Sequence, residues 1–590
     1  MPINADIVKV TQYAIQQLYG INNFDVHVQP TRKEFSGTHT ILIFPLTKIS
    51  KKSPEVTANE IGNWIKKNGD IVEDFHVIKG FLNLTLKNKY WIKIFDSNFK
   101  KKTFNFPANQ TKIMVEFSSP NTNKPLHLGH MRNSFLGYAV SKILEAMGYE
   151  VIKANLINDR GIHICKSMLA YLLFGKGVTP QTLCMKGDHF VGKYYVEFER
   201  ALKDKAHELK ELNWSEEEIE KNNPLLLQAQ DLLRKWENND PETIDLWKKM
   251  NNWVYEGFEE TYKRMGISFD KYSYESDTYL LGKQIVNEGL EKGIFYKKND
   301  GSVWVDLSDV RLEQKLLLRA DGTSVYITQD LGTAEKKFND FGIQKSIYVV
   351  GDEQDSHFIV LKYILKKLGK PYADGIYHLS YGMVDLPTGK MKSREGTVVD
   401  ADDLMNEVVE ECAKYTREHG KIEELTENEA HQLFEMLGIG AIKYFLLKVD
   451  PKKRILFNPL ESIDLHGHTA PYIQYTHARI KSILRKSDWE PNNWVLNNEI
   501  NLTEIEKIII SLIDEYPEKL EKSAQMLDPS ILANYVYELS KNYNTFYNNL
   551  SVLKEENSQV RNFRIALSQL TARVIQHSMG LLGIDVPEKM

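Results

Sequence analysis

The stretch from Lys112 to Met147, KIMVEFSSPNTNKPLHLGHMRNSFLGYAVSKILEAM, constrains this chain more than any other. It opens on an apolar run, Ile113-Met114-Val115-Glu116-Phe117, that reads as a buried strand. A polar loop follows from Ser118 to Pro125, then His127-Leu128-Gly129-His130, then a helix. Met131, Phe135, Leu136, Ala139, Val140, Ile143, Leu144 and Met147 keep one helix face apolar over four turns, and Gly148 is a natural stop. A strand, a polar loop and a helix N-terminus in succession gather free backbone N–H groups at the positive end of a helix dipole. That is a site for phosphate. The two histidines add ring N–H donors, and Gly129 between them lets a bulky ligand reach the backbone. The chemistry predicted is binding of a polyphosphate and stabilisation of charge as a phosphoryl bond breaks. In a chain with 16 histidines H-x-G-H alone is weak; its strand and amphipathic helix give it weight.

Val151-Ile152-Lys153-Ala154-Asn155-Leu156 reads as a second strand, completing a strand–helix–strand unit of a parallel sheet. The turn Asn158–His163 falls at its carboxyl end, where such sheets bind nucleotides. The sheet is predicted to resume with Ser346–Gly351, a helix from His357 to Leu368 and a strand around Tyr377-His378-Leu379. Between about 176 and 300 the chain reads as a charged, helical insertion, dense in Lys and Glu from Lys203 to Lys221. Before the sheet, residues 1–108 read as a small α/β domain: a helix, strands at Phe24–Val28 and Thr40–Phe44, a helix at Glu60–Ile65 and a strand at Gly80–Leu86. Lys87, Lys89, Lys93 and Lys100–Lys102 follow, interleaved with Tyr90, Trp91, Phe95 and Phe99. The mixture suits RNA contact, with a solvated helix end as an equal reading. From 404 to 590 the pattern is almost wholly helical.

A length of 590 residues suggests three or four domains. The net charge of −5 excludes a polycation but not a local basic face. Three cysteines are too few for a disulfide framework and favour a reducing, cytoplasmic setting. The N-terminus reads as an amphipathic helix, no run approaches a membrane span, and no P-loop, G-x-G-x-x-G or serine-hydrolase elbow occurs.

A second phosphate signal is Gly389-Lys390-Met391-Lys392-Ser393-Arg394-Glu395-Gly396. Three cations lie within five residues between two glycines, a composition that can neutralise a departing pyrophosphate. Further segments stand out: Asp321 to Gly332, with Tyr326 four residues before Asp330 and so on one helix face; Gly351-Asp352-Glu353-Gln354-Asp355 after a strand; and Leu465 to Arg479, in which His466, His468 and His477 lack the companions of a zinc site. Asn534, Tyr535, Asn542, Tyr543, Phe546 and Tyr547 offer amides and rings to unstacked bases.

The first stretch closely resembles the leading signature of class I aminoacyl-tRNA synthetases, and Val115–Asn121 with Lys124-Pro125 resemble the arginine enzymes. The 389–397 loop resembles the K-M-S-K-S loop of that class. It departs from it, with Ser393 where the second lysine falls; Lys124, just before the histidine signature, is at the substituting position. The 321–332, 351–355 and 465–479 segments and the terminus ending in Met590 resemble the same family, and that terminus is expected to be the natural end of the chain. The resemblance implies an α/β fold: a Rossmann-like parallel-sheet catalytic domain at 109–403 with its insertion, the small N-terminal domain contacting tRNA, and an all-α anticodon-binding domain at 404–590. It implies catalysis by His127, His130, Lys124, Lys390, Lys392 and Arg394. ATP would be held by His127, Gly129, His130, Met383, Val384, Met391 and Ser393. Arginine would be held by Glu116, Ser119, Asn121, Tyr326, Asp330 and Gln354, and tRNA by Asn534, Tyr543, Tyr547 and Met590. Carboxylates suit arginine because its guanidinium fork pairs bidentately with them. The expected cofactors are ATP and the Mg²⁺ it carries, with no dedicated metal site. The expected partners are L-arginine and its tRNA, with no membrane, and the chain is expected to act as a monomer. The resemblance also implies that arginine activation needs bound tRNA. Two alternatives stand beside it: another adenylate-forming enzyme of the same fold, and a non-catalytic tRNA-binding relative.

Overall fold

In the computed structural model the described residues are 2–32, 34–387, 399–419, 425–488, 490, 494–495 and 499–590. The N-terminal unit runs α1 (Ile3–Tyr19), β1 (Val28–Pro30), β2 (His39–Leu42), α2 (Pro54–Asn68), β3 (Val72–Ile78), β4 (Phe81–Leu86) and α3 (Asn88–Phe99). Its sheet is antiparallel, ordered β1-β2-β4-β3. The strand predicted over Phe24–Val28 forms later, at Val28–Pro30, and β3 is an addition. Its burial does not follow a simple alternation, so the period-2 signal is weak.

The aromatic residues of α3 face mostly inward. Tyr90, Trp91 and Phe95 are buried, and Phe95 packs edge-on against Phe563 of the C-terminal bundle. These three rings are spent on the core and are not open to a base, while Lys89, Lys93 and Lys100–Lys102 are exposed.

The central sheet is built from β5 (Lys112–Glu116), α4 (Leu128–Ala146), β6 (Glu150–Ile157), α5 (Ile162–Phe174), α6 (Gly187–Glu211), α7 (Pro224–Glu237), α8 (Pro241–Arg264) and β7 (Lys271–Tyr274). After α9 (Gly282–Glu291), a small antiparallel sheet forms from β8 (Phe295–Lys297), β9 (Val303–Val305) and β10 (Lys315–Leu318). The chain then returns through α10 (Tyr326–Phe341), β11 (Lys345–Gly351), α11 (Asp355–Lys367) and β12 (Ile376–Tyr381). The five-stranded sheet is parallel throughout, in the order β12-β11-β5-β6-β7. The insertion predicted as helical over 176–300 is therefore corrected: helices fill its first part, but β7 rejoins the parallel sheet and β8 begins another. Lys-Tyr-Ser-Tyr escapes detection because an edge strand carries no continuous apolar run.

A two-stranded parallel pair, β13 (Val384–Asp385) with β14 (Ile455–Leu456), links this sheet to α12 (Ala401–His419) and α13 (Glu427–Leu447). The bundle α14 (Ala470–Arg485), α15 (Glu504–Met526), α16 (Ser530–Asn549) and α17 (Ser558–Leu581) completes the chain. One buried cation bolts these parts together. Arg132, on α4, donates to the carbonyls of Gly382 (3.0 Å), Leu446 (2.6 Å), Pro451 (2.9 Å) and Lys453 (3.2 Å). Burial lowers its pKa to about 10, so it stays charged at neutral pH. Arg132→Met should remove the guanidinium donor from four carbonyls, of which that of Pro451 keeps a second donor in the Gly382 N–H at 2.9 Å, and destabilise the fold by about 3 kcal/mol or more. Urea unfolding checks this, and an unchanged midpoint would reject the bolt.

Candidate functional site

The strand order reverses at β5: the chain continues to β6 on one side and later to β11 on the other. The carboxyl ends of β5 and β11 therefore flank the switch point, where sheets of this kind have their ligand crevice. His127 is the N-cap of α4, with extended backbone. Its Nδ1 accepts from the Gly129 N–H at 3.1 Å, and the Nδ1 of His130 accepts from the His127 N–H at 3.2 Å. This reciprocal cap satisfies two free helix donors with histidines in place of the usual hydroxyl and carboxylate. It also sets the tautomers. With both Nδ1 atoms accepting, each neutral ring carries its proton on Nε2 and has one N–H left to give. The rings lie 3.8 Å apart. Burial first, then the charge of Lys124, lowers the pKa of His127 to about 3. Burial, with His127 and Lys124 adding to it, holds His130 well below its ordinary value. At pH 7 both are neutral N–H donors. A Cβ at Gly129 would press on the His127 ring at 3.0 Å, so any side chain there would have to push the capping ring aside by a few tenths of an ångström.

Lys124 stands on the same wall, its own pKa lowered by burial. Lys390, Met391, Lys392, Ser393 and Arg394 lie outside the described residues. The segments flanking them are described, and both reach α4. Arg132 holds Gly382, next to the half-exposed Met383 and the buried Val384. On the other flank Val399 accepts from the Leu128 N–H (3.2 Å), and the Ala401 N–H donates to Leu126 (3.0 Å).

The loop after β5 is strained. Ser118 and Ser119 take φ of +75° and +48°, a region that costs a non-glycine residue about 1–3 kcal/mol. Asn133 accepts from the Ser118 N–H at 2.5 Å, and Asn155 from the Ser119 N–H at 3.1 Å. Ser119 is left exposed and Asn121 half-buried at the mouth of the crevice. Gln354 is exposed in the turn after β11. Tyr326 opens α10 with 75% of its surface exposed, and Asp330 lies one turn on.

Glu116 ends β5. Its carboxylate meets Lys337 Nζ at 2.6 Å, and both are buried. Burial opposes the charge on Lys337, yet Glu116 holds its pKa above the ordinary lysine value. Glu116 is thus already neutralised from α10. Two residues not singled out from sequence interact with Asp330. His357, on α11, meets Asp330 with Nε2 at 2.6 Å from Oδ2. Glu275, just beyond β7, is half-buried, and its pKa is raised to about 7. Burial is the main cause, Arg160 opposes it, and the charges of Asp159 and Asp330 add to it. A lone Glu after an unrecognised strand gave no signal; with β7 known, its place at a strand's carboxyl end would have.

Asp188, His189 and Asp402 converge closely enough to suggest a cation site. Lys186 already fills it, at 3.1 Å from Asp188 and 2.6 Å from Asp402. In the bundle, His477 bonds the Pro587 carbonyl, and His468 packs on Tyr537.

Residues 96–458 match the catalytic domain of class I (R) tRNA synthetases. Residues 473–590 match the DALR anticodon binding domain, and residues 5–86 the arginyl tRNA synthetase N-terminal domain. Over 596 residues, all of both chains, the protein is 54% identical to an arginine–tRNA ligase of Amoebophilus asiaticus. The chain belongs to the arginyl-tRNA synthetase family. Another relative, the arginine–tRNA ligase of Bacteroides thetaiotaomicron, is 51% identical over the full length of both chains. In fold it is similar to the arginyl-tRNA synthetase of Thermus thermophilus, with a TM-score of 0.79 at 24% identity and complete coverage of both chains. The Plasmodium falciparum structure gives 0.76 at 22%, covering 100% of this chain and 99% of that one.

Within this arginyl-tRNA synthetase fold the tail residues divide by exposure. Tyr543 is fully buried, its hydroxyl donating to Ser568, and Tyr535 and Phe546 are buried as well. The α16 face that carries them is core, and Tyr543 has no ring face to offer a base. Asn534 is exposed. Tyr547 is 39% exposed and Tyr475 38%, with the Arg479 guanidinium 4.7 Å from each ring. Met590 packs partly buried against the core. No helix among the described residues is long and apolar enough to cross a membrane.

Proposed function

We propose that this chain is an arginine–tRNA ligase that forms arginyl-adenylate from L-arginine and ATP and passes the arginyl group to the 2′-OH of the terminal adenosine of its tRNA. One observation carries the choice of substrate. Two carboxylates, Asp330 paired with His357 at 2.6 Å and the half-buried Glu275, whose pKa the charge of Asp330 helps to raise, accompany the two neutral histidine N–H donors at the start of α4. A substrate that is cationic at one end and activated at the other fits that pairing.

The arginine carboxylate is ionised at pH 7 and needs no base to attack the α-phosphate of ATP. His127 and His130 give their Nε2–H groups to the phosphate as charge builds. Lys124 and the cations of 390–394 neutralise the pyrophosphate as it leaves. Mg²⁺ arrives with the ATP phosphates as part of the substrate. Catalysis is positioning and electrostatics, with donors fixed before the reaction begins. Ser119, Asn121, Tyr326 and Gln354 surround the amino acid, with Glu116 acting through Lys337. Asn534, Tyr547 and Met590 meet the tRNA, joined by Tyr475 and Arg479 as a stacking platform. Three free cysteines, two of them buried, suit a reducing compartment, and we place the enzyme in the cytoplasm.

The test is aminoacylation of total tRNA with each of the twenty amino acids. Charging by arginine alone is expected; charging by another would overturn the pocket, and no charging would overturn the activity. A second expectation follows from Glu275. Its folded pKa lies above the ordinary carboxylate value, so it gains a proton, and loses the charge that draws a guanidinium, as pH falls through about 7. Arginine KM should rise between about pH 8 and pH 6, and Glu275→Gln should flatten that profile. Ionising a raised carboxyl costs stability above its unfolded pKa, so the same variant should raise the ligand-free Tm at about pH 8. A wild-type profile without a pH-dependent arginine KM would reject the role.

A further inference from the structure

Helix α8 supports both sides of the crevice with a single face. Trp247, Asn251, Tyr255 and Tyr262 are spaced by four, four and seven residues, which aligns them along one side of the helix. At one end three of them hold Asp159. Trp247 Nε1 and Asn251 Nδ2 donate to its carbonyl at 2.6 and 3.3 Å, and the Tyr255 hydroxyl donates to its carboxylate at 3.1 Å. Asp159, 1% exposed, also accepts from the N–H (2.9 Å) and hydroxyl (2.7 Å) of Ser276, the residue after Glu275. Two turns further, the buried Tyr262 hydroxyl meets Ser118 Oγ at 2.6 Å and accepts from Asn155 Nδ2 at 3.2 Å. Asn155 in turn accepts from the Ser119 N–H. A pair of serines held at positive φ persists only where the surroundings over-determine them. Here those surroundings include a phenol from another element.

We propose that Tyr262 and Tyr255 are positioning residues for arginine: through Ser118 and Asn155, and through Asp159 and Ser276, they hold the strained loop bearing Ser119 and Asn121 at a set distance from Glu275. The inference rests on the arginine reading of this crevice. Neither phenol acts on the reacting atoms. Their hydroxyls set where the two ends of the amino acid are received, so their removal bears on arginine and not on the nucleotide, which α4 holds.

Y262F and Y255F each delete one hydroxyl and keep the ring. In steady-state aminoacylation each is expected to raise arginine KM about tenfold, with ATP KM within about twofold of wild type. A role in stability alone would lower Tm without separating the two KM values. Arginine KM within about twofold of wild type in both variants would overturn the proposal, as would ATP KM rising in step with it. If Y262F does not fold, Y255F, whose ring is half-exposed, decides the question by the same split. Wild-type enzyme that charges tRNA with an amino acid other than arginine would overturn the functional reading instead, and this inference with it.

Discussion

Replacing His130 by alanine is expected to lower ATP–pyrophosphate exchange by about 10²–10³-fold, as loss of one preorganised oxyanion-type donor does. The ring is a neutral donor with its Nδ1 committed to the backbone of His127, so its Nε2–H is fixed before substrate arrives. The variant also loses half of the reciprocal cap of α4, which costs about 1 kcal/mol, too little to unfold a chain of this size. Binding of tRNA should remain near normal. Exchange at the wild-type rate in a folded variant would remove the Lys112–Met147 stretch from the chemistry. It would turn attention to the non-catalytic alternative. Because burial holds both rings neutral, neither should produce an acid limb near pH 6.5 in the exchange rate; any limb near pH 7 belongs to Glu275.

Asp330→Asn should raise arginine KM by about 100-fold, the equivalent of about 2.7 kcal/mol for a charged hydrogen bond reduced to a neutral one. The substitution keeps shape and keeps an oxygen for His357, which lies 2.6 Å away. ATP KM should stay within about twofold, because the proposed nucleotide site lies at the start of α4. An unaltered arginine KM would reject Asp330 as the guanidinium ligand. Combined with Glu275→Gln, the loss should be less than the sum of the two, since neighbouring charges that share one ligand are coupled.

The contrast between Asp330 and Glu116 shows how far the chain could be read before its fold was known. Both are carboxylates in segments that resemble one family. Asp330 stands at the crevice with a histidine partner, whereas Glu116 is buried against Lys337. Nothing near Glu116 in the chain announces Lys337, which reaches it only because the fold brings α10 to the end of β5. Tyr543 and Tyr547 make the same point within one helix. Four residues apart, they share a side of α16, yet one bonds Ser568 in the core and the other stacks on Arg479 at the surface. Which ring a neighbouring helix covers depends on where that helix ends, and that is not written in α16.

What the sequence determined by itself is local. The apolar run of β5, the polar loop, the capping histidines and the periodic face of α4 each depend on residues within a few turns of one another. Backbone hydrogen bonding and burial act over that range with little choice of outcome. Tertiary structure alone decided the juxtapositions: β7 beside β6, Glu275 near Asp330, Arg132 on four distant carbonyls, and α8 against two loops at once. The physical reason is that a polar side chain gives the same sequence signal in water as in the interior. Its role is set by which partner long-range packing brings within hydrogen-bond reach.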